Sequence, residues 1–415
     1  GLESRGLGDV YKRQVITNKE KANGASSFTT SATISTITDI TTATVSAASG
    51  GAEKESIQSI KFNAPLDYAA QGRAVTVNDF KAIVPKVYAN SKSVQVYGGE
   101  DNDVPTYGKV YISIVPTTGS ITASAKLDII RNLKNNYTVA SVSPEIVDPE
   151  YTKLRLNVNF SYNSKNTIKP QETLISNVTK TITDFNTNNL SKFDAAFRYS
   201  PFTTLIDNTD NAITSNITTI KLSKDFLPTL NTSTKYTIPF SNPLYNPHSG
   251  HDADSGGILS SSGFKISGNT NEMFLNDDGM GNVRMYYVVD GTTNTYQNNT
   301  AGTINYKTGE IILTSFNITE VSNVDGITST KIRLIVNPES NDIIAVRNQV
   351  LEIDTANLIV NANVDTIATG SASAGVGVTT TSTYSGSTSA ASSSSTSSTS
   401  SSSSSSSSSG SSSGY

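Results

Sequence analysis

Residues 62–116 read FNAPLDYAAQGRAVTVNDFKAIVPKVYANSKSVQVYGGEDNDVPTYGKVYISIVP, and they predict two helices followed by two strands. The second helix begins after Thr76, whose hydroxyl can accept a free backbone N–H of the first turn. Asp79 lies three residues later, near the positive end of the helix dipole. Pro85 ends or kinks the helix. The residues at helical spacing that are expected in a core are Val77, Phe80, Val84 and Val87.

Two strands follow, and apolar side chains alternate with polar ones in both of them. This alternation with a period of two is the signature of a strand with one buried face. The inward residues are Val94 and Val96 in the first strand, and Val110, Ile112 and Ile114 in the second.

The clearest periodicity in the chain lies at residues 153–162, where five apolar side chains alternate with polar ones without exception. A helix over residues 121–133 is predicted upstream, with Leu127, Ile130 and Leu133 facing inward. Another helix is predicted to begin at Pro170. Residues 56–227 are therefore expected to form an α+β domain, a mainly antiparallel sheet with helices on one face. The alternating apolar residues are Leu154, Leu156, Val158, Phe160 and Tyr162.

After Pro228 helical periodicity disappears, and residues 228–369 are predicted to form a β-rich domain. INYKTGEIIL, residues 304–313, predicts a hairpin with Gly309 at a position of positive φ. Residues 370–415 drift into an almost pure Ser run. Such a tract buries too little apolar area to offset its ordering entropy, so a disordered tail is predicted.

The beginning of the chain differs in composition from the residues after it. Residues 1–14 (GLESRGLGDVYKRQ) are rich in Gly and Arg, and they are interpreted as adapter or fusion sequence, so that the natural N-terminus is expected to be missing. Residues 15–55 are rich in Thr, Ser, Ala and Ile. They predict strands or an extended arm.

Composition narrows the possible functions. The net charge is only −4, so no basic surface for nucleic acid or anionic lipid is expected, and no apolar run is long enough to span a membrane. Cysteine is absent, which excludes disulfides, thiolate metal sites and a Cys nucleophile. With two His and no Trp, general-base chemistry has few candidates. No catalytic or cofactor-binding residue is predicted.

One cluster of side chains could bind a metal ion. His248, His251, Asp252 and Asp254 lie within seven residues of one another and could chelate Zn²⁺ from a loop. Their spacing matches no established metal signature, so an ordinary surface loop is the simpler interpretation.

Two acidic turns have a similar simple interpretation. Glu100, Asp101 and Asp103 suggest Ca²⁺ but lack the further spaced ligands of a calcium loop. Asp277 and Asp278 precede a glycine and are interpreted as turn residues.

Four segments occur in an order that resembles a known family. DYAAQGRAVTVNDFKAIVP is followed by KVYISIVPTTG, then by SPEIVDPEYTKLRLNVNFSYN, and later by IVNPESNDIIAVRNQVLEID. In this order they resemble the baseplate wedge proteins of contractile-tailed, myovirus-type bacteriophages and their baseplate-J-like relatives. The resemblance extends over roughly residues 57–368, and residues 73–80 are its most specific part.

The resemblance implies a structural subunit and not an enzyme. Such a subunit would hold its neighbours in the baseplate ring and rearrange when the tail contracts, without a cofactor. The implied partners are further copies, as a dimer or higher species, and other wedge proteins. The implied location is the virion tail baseplate, after assembly in the host cytoplasm. Two alternatives stay open: a receptor-binding or adhesive fibre protein, and a metal-dependent hydrolase centred on His248 and His251.

Overall fold

The structure, a computed structural model, describes residues 25, 27, 57–102, 104–139, 141–250 and 257–366. The predictions for residues 1–14 and 370–415, and almost all of those for residues 15–55, lie outside the described residues.

The first folded part, called here the N-terminal module, comprises residues 57–147. Its elements are α1 (Ile57–Ala70), α2 (Val77–Val87), β1 (Ser91–Gly98), β2 (Lys109–Pro116), α3 (Ala123–Asn136) and β3 (Ser143–Val147), with a 3-10 turn at Gly99–Asp101. The sheet has the order β1-β2-β3, in which β1 is antiparallel and β3 parallel to β2.

The predicted cap of α2 is confirmed as a reciprocal capping box. Asp79 N donates to Thr76 Oγ1 at 3.3 Å, and Thr76 N donates to Asp79 Oδ2 at 2.8 Å. Phe80 is fully buried, and the core of the module is made by the inner faces of α2, α3 and the sheet. Its largest fully buried side chains are Phe80, Ile83, Ile112, Ile114 and Leu133.

The predicted inward face of α3 is only partly right. Leu133 is buried, but Leu127 is 62% exposed. The buried residues are Ala125, Ile129 and Leu133, which recur every four positions and therefore lie on one side of the helix. Leu127 lies half a turn away from this stripe, so it faces solvent.

The second part, called here the body, comprises residues 150–365. Its first elements are β4 (Glu150–Tyr162), α4 (Gln171–Asn189), β5 (Ala196–Phe197), α5 (Tyr199–Asp207) and β6 (Ile213–Phe226). Later strands of the body are β8 (Ser260–Ser261), β14 (Ile332–Val336), β15 (Ile343–Ile344), β16 (Gln349–Ile353) and β17 (Ile359–Val364). The central sheet has the order β16-β4-β6-β14-β8, and β17 pairs with β4 beyond β16. The short strand β15 pairs with β5.

Between β6 and β14 the chain forms a second sheet. Its strands are β7 (Ser233–Pro239), β9 (Phe264–Ile266), β10 (Asn269–Asp277), β11 (Asn282–Val289), β12 (Thr293–Asn305) and β13 (Glu310–Val321). The order is β12-β11-β10-β9-β13-β7, and β12 also pairs with β13, so that five strands close on themselves. Gly309 has φ of 69° in the β12–β13 hairpin, as predicted. A closed circuit of strands leaves no free edge where it closes.

The mixed α+β class with a β-rich part is confirmed, but the hydrophobic cores divide elsewhere than the predicted boundary at residues 227 and 228. β14 pairs with β6, and β16 and β17 pair with β4, so the central sheet crosses that boundary. One buried cluster extends from Leu154 to Ala362, whereas the N-terminal module has its own cluster. Strand pairing therefore joins segments on both sides of residue 227. Independent folding of residues 56–227 and 228–369 remains a hypothesis.

Candidate interaction surface

The two faces of β4 have different surroundings. Leu156, Val158 and Phe160 are buried in the cluster that also contains Val178 and Ile182 of α4. The alternate residues of β4 are half-exposed and polar, as the periodicity predicted. The central sheet therefore has one covered face and one face, called here the open face, that carries the side chains of the odd-numbered residues of β4.

The register shows which side chains share the open face. Asn157 pairs with Ile359 of β17 and with Thr219 of β6, and Asn159 pairs with Asn361 and Ile217. Directly paired residues project to the same side of a sheet. The open face is therefore a contiguous surface across β17, β4 and β6.

Three asparagines form a row of hydrogen bonds on the open face, which links β17 to β4. Asn361 Nδ2 donates to Asn159 Oδ1 at 2.9 Å, and Asn159 Nδ2 donates to Asn157 Oδ1 at 3.3 Å. These two hydrogen bonds fix the orientations of the asparagine amides and leave further amide donors and acceptors on the surface. Two apolar side chains flank it, Ile217 at 68% and Ile359 at 51% exposure.

At its other end the open face is covered by a network of charges. Arg333 donates to Asp225 through Nε at 2.7 Å and through Nη2 at 3.1 Å, a bidentate pair. Arg333 also pairs with Asp325, and Arg155 Nη2 reaches the same carboxylate at 3.4 Å. Arg155 Nε lies 3.7 Å from Oδ2 of the buried Asp354. Because Asp325 lies on the connection between β13 and β14, the network holds that connection against the sheet.

The electrostatics of this network favour its charged form. Burial raises the pKa of Asp225, but the hydrogen bonds and the charge of Arg333 outweigh this effect and hold the pKa below its ordinary value. The same pairing raises the pKa of the Arg333 guanidinium. Both groups are therefore ionised at neutral pH.

The loop that carries the candidate metal ligands is described only in part. His248 is exposed, and its Nδ1 lies 3.4 Å from the carbonyl oxygen of Ser249. His251, Asp252 and Asp254 lie outside the described residues. Within the ranges that the structure describes, no group of three or more His, Asp or Glu side chains could hold a metal ion. The interpretation as an ordinary surface loop, with these four residues as candidate ligands only, stays a prediction.

The pair Asp277 and Asp278 has two different roles. Asp278 accepts hydrogen bonds from the backbone N–H groups of Met280 and Asn282, which is the turn role that was predicted. Asp277 is fully buried and accepts from Leu259 N at 2.8 Å and from the Tyr306 hydroxyl at 2.6 Å. Burial and this hydrogen bond raise the pKa of Tyr306 well above its usual value. Both Asp277 oxygens are thus used by the fold.

The acidic turn of the N-terminal module is a strand connection. Thr106 N donates to Gly99 O at 2.8 Å, and this hydrogen bond joins the two ends of the turn. A side chain does not fit at Gly99, because its Cβ would lie 1.9 Å from Thr106 O. Glu100 and Asp101 lie in the 3-10 turn, and Asp103 is outside the described residues.

Two features of the open face were not found from the sequence. The alternation of β4 predicted its outward polar residues, but nothing local to Ile359 or Asn361 indicates that β17 lies beside β4. The pairing of Arg333 with Asp225 likewise joins strands that are distant along the chain. Among the described helices, none is both long and apolar enough to cross a bilayer.

Comparison with known proteins gives two family matches. Residues 76–147 match the model of baseplate structural protein gp6, C-terminal domain I, and residues 150–225 match the model of its C-terminal domain III. The baseplate wedge protein gp6 of Enterobacteria phage T4 is 22% identical over 233 residues, which cover 54% of this chain. The chain spans 35% of the length of that relative. These matches confirm the resemblance to the wedge family.

A solved baseplate of the anti-feeding prophage is a weaker match. It shows a TM-score of 0.30 and 15% identity over 40% of this chain and 37% of that chain. A likeness at this level supports no conclusion about fold or function.

Proposed function

The chain is related to the baseplate wedge proteins of contractile-tailed phages, and from this premise we propose that it is a structural subunit of a tail baseplate wedge. Its proposed work is to hold neighbouring subunits in the baseplate ring and to rearrange with them when the tail contracts. Its proposed location is the virion tail baseplate, after assembly in the host cytoplasm.

The observation that carries this proposal is the succession of two gp6 domains. Domains I and III match residues 76–147 and 150–225, in that order and two residues apart. The gap falls between β3 and β4, where the hydrophobic core of the N-terminal module gives way to that of the body. Two independent matches that meet at a break between cores are hard to obtain by chance.

We assign the function to association and not to catalysis. Several titratable groups with shifted pKa values form capping, ion-pair or core contacts, as in Asp79, Asp225 and Tyr306. Perturbed pKa values also arise in structural ion-pair networks, so these groups give no reason to postulate an active site.

The surface proposed for association is the open face. Its asparagine amides can donate and accept across an interface, and Ile217 and Ile359 can supply apolar contacts within it. The proposed partners are further copies of the chain, as a dimer or higher species, and other baseplate wedge proteins. Nucleic acid is not a proposed partner, since the net charge of −4 gives no basic surface.

Sedimentation velocity tests the proposal directly. The purified chain would be run alone at micromolar concentration, and then mixed with the products of the adjacent tail genes. We expect a dimer or higher species, or a faster complex with at least one neighbour. A strict monomer that binds none of these products would refute the structural role.

A further inference from the structure

We propose that the N-terminal module and the body form an articulated joint, with its pivot at Asp148–Pro149 and with a weak, partly unpaired interface that opens and closes. This inference deepens the proposed function, because it names the place where the subunit would change shape. It concerns the isolated chain, so it can be measured without any partner.

The covalent connection between the two parts is short. β3 ends at Val147 and β4 begins at Glu150, which leaves Asp148 and Pro149 between them. Hinges are typically a few residues at the ends of elements that take up the change in backbone angles. Pro149 has a fixed φ and Asp148 pairs with Lys126 Nζ of α3 at 2.6 Å, so rotation between the parts is left to the remaining backbone angles of this short connection.

The apolar contact between the parts is small. Val115 of β2 packs with Phe193 and Val350 of the body, and these three side chains form a buried cluster separate from both large cores. Interfaces between domains that bury little apolar area are expected to permit relative motion. The apolar contact is therefore too small to lock the two parts together.

Polar atoms in the middle of the interface lack partners. Ser113 and Gln95 pair across β2 and β1, on the face of the sheet that also carries Val115. Within the described residues, the buried atoms Ser113 Oγ and Gln95 Oε1 have no hydrogen-bond partner. Two residues further along the same face, Tyr97 lies within electrostatic reach of Glu150. The unpaired atoms thus lie between two points at which the module meets the body.

Such atoms favour opening, because separation of the two parts returns them to water. A buried polar group without a partner loses its hydration and gains nothing in exchange. The closed arrangement is therefore penalised at Ser113 and Gln95 and stabilised by Val115 and its neighbours.

Two further polar contacts lie at one end of the joint. Lys92 Nζ donates to the carbonyl oxygen of Thr187 at 2.9 Å, near the negative C-terminal end of α4, and Phe193 N donates to Ser93 Oγ at 3.2 Å. Beside them is a cavity of about 220 Å³. Burial lowers the pKa of the Lys92 ammonium, and Glu352 opposes this effect. The cavity residues include Lys92, Thr117, Tyr151, Ser191 and Glu352. A polar cavity of this size admits water, which can hydrate the polar groups at this end of the joint.

The test is a distance measurement on the full chain. The sequence contains no cysteine, so Tyr107→Cys in the N-terminal module and Ile168→Cys in the body give one specific pair of spin labels. Both positions are highly exposed. We expect two populations in the pulsed dipolar distance distribution, one for each arrangement of the joint.

Two variants should move these populations in opposite directions. Gln95→Leu with Ser113→Ala removes the unpaired atoms and should raise the closed-to-open ratio on the order of tenfold. Phe193→Ala reduces the apolar contact and should lower this ratio. Ser124→Ala, at the half-exposed start of α3, is the matched control and should leave the ratio unchanged. Circular dichroism melting verifies that each variant is folded.

A single narrow distance population that no variant shifts would refute the proposal of a joint. So would two populations that Gln95→Leu with Ser113→Ala leaves in their original ratio, since the unpaired atoms would then not oppose closure. If the chain shows the two expected populations but binds no tail protein, the proposed joint is supported and the proposed function is refuted.

Discussion

The covered and open faces of the central sheet differ although they share the same strands. On β4, the side chains of Val158 and Phe160 are fully buried, whereas those of Asn157 and Asn159 point the other way and stay partly exposed. The covered face is apolar and is held by packing, whereas the open face is held by an amide chain at one end and by ion pairs at the other. One strand thus specifies both a core and an association surface, because successive side chains point to opposite sides.

The largest expected difference between the faces is in stability. Phe160→Ala should lower the free energy of unfolding by about 3–5 kcal/mol, since it opens a cavity under α4. This is a large share of a typical domain stability of about 5–15 kcal/mol. Urea unfolding followed by circular dichroism measures it. Asn159→Ala, its neighbour on the open face, is the control and should change stability by less than about 1 kcal/mol. Equal losses for both variants would remove the distinction between the faces.

The charged end of the open face should show the next largest effect. Arg333→Gln leaves Asp225 without its guanidinium partner and removes one of the two arginines that pair with Asp325, and the expected loss is up to about 3 kcal/mol. Arg131→Gln removes an exposed pair with Asp128 on α3 and should cost at most about 0.5 kcal/mol. Both are read from urea unfolding at neutral pH. A loss for Arg333→Gln no greater than that for Arg131→Gln would show that the network does not stabilise the fold.

The same network predicts a dependence of stability on pH. The pKa of Asp225 is depressed in the folded state, so its contribution is present above the unfolded value of about 3.9 and is lost as the pH falls through the folded value. We expect melting temperatures to fall below about pH 4, and less steeply for Asp225→Asn than for the wild type. Parallel curves for the two proteins would exclude this carboxylate as a contributor.

The smallest effect on stability, and the largest on association, is expected at the exposed isoleucines. Ile217→Thr with Ile359→Thr should leave the melting temperature nearly unchanged, because both residues are more than half exposed. Self-association or binding of tail proteins should weaken about tenfold or more. The control pair is Leu127→Thr with Ile168→Thr, two exposed apolar residues away from the open face. Sedimentation equilibrium distinguishes the two pairs, and equal weakening by both would contradict the assignment of the interface.

Local features of the fold could be predicted from the sequence, and non-local ones could not. The capping box at Thr76, the alternation of β4 and the Gly309 turn each depend on a few adjacent residues, and each is present. The face of α3 was partly missed because Leu127 fits a helical pattern that competes with the stripe of smaller residues. β3 was not predicted, since its sequence SPEIV contains a proline and little alternation.

Only the local part of the open face could be predicted from the sequence. The outward asparagines of β4 follow from its period of two, but the neighbours Ile359 and Ile217 come from strand pairings. Nothing in a short window of sequence specifies that β17 should lie parallel to β4, because register is set by packing in the complete sheet.

The parallel pairing of β17 with β4 has a consequence for synthesis on the ribosome. Asn159 and Asn361, which share a hydrogen bond, are 202 residues apart. At about 5–20 residues per second, β4 is made roughly 10–40 s before its partner strand exists. During that interval the nascent chain presents an unpaired strand edge, which is a template for pairing with another chain. Translation speed and chaperone access should therefore influence the yield of this protein more than they would for one whose sheet is built from adjacent hairpins.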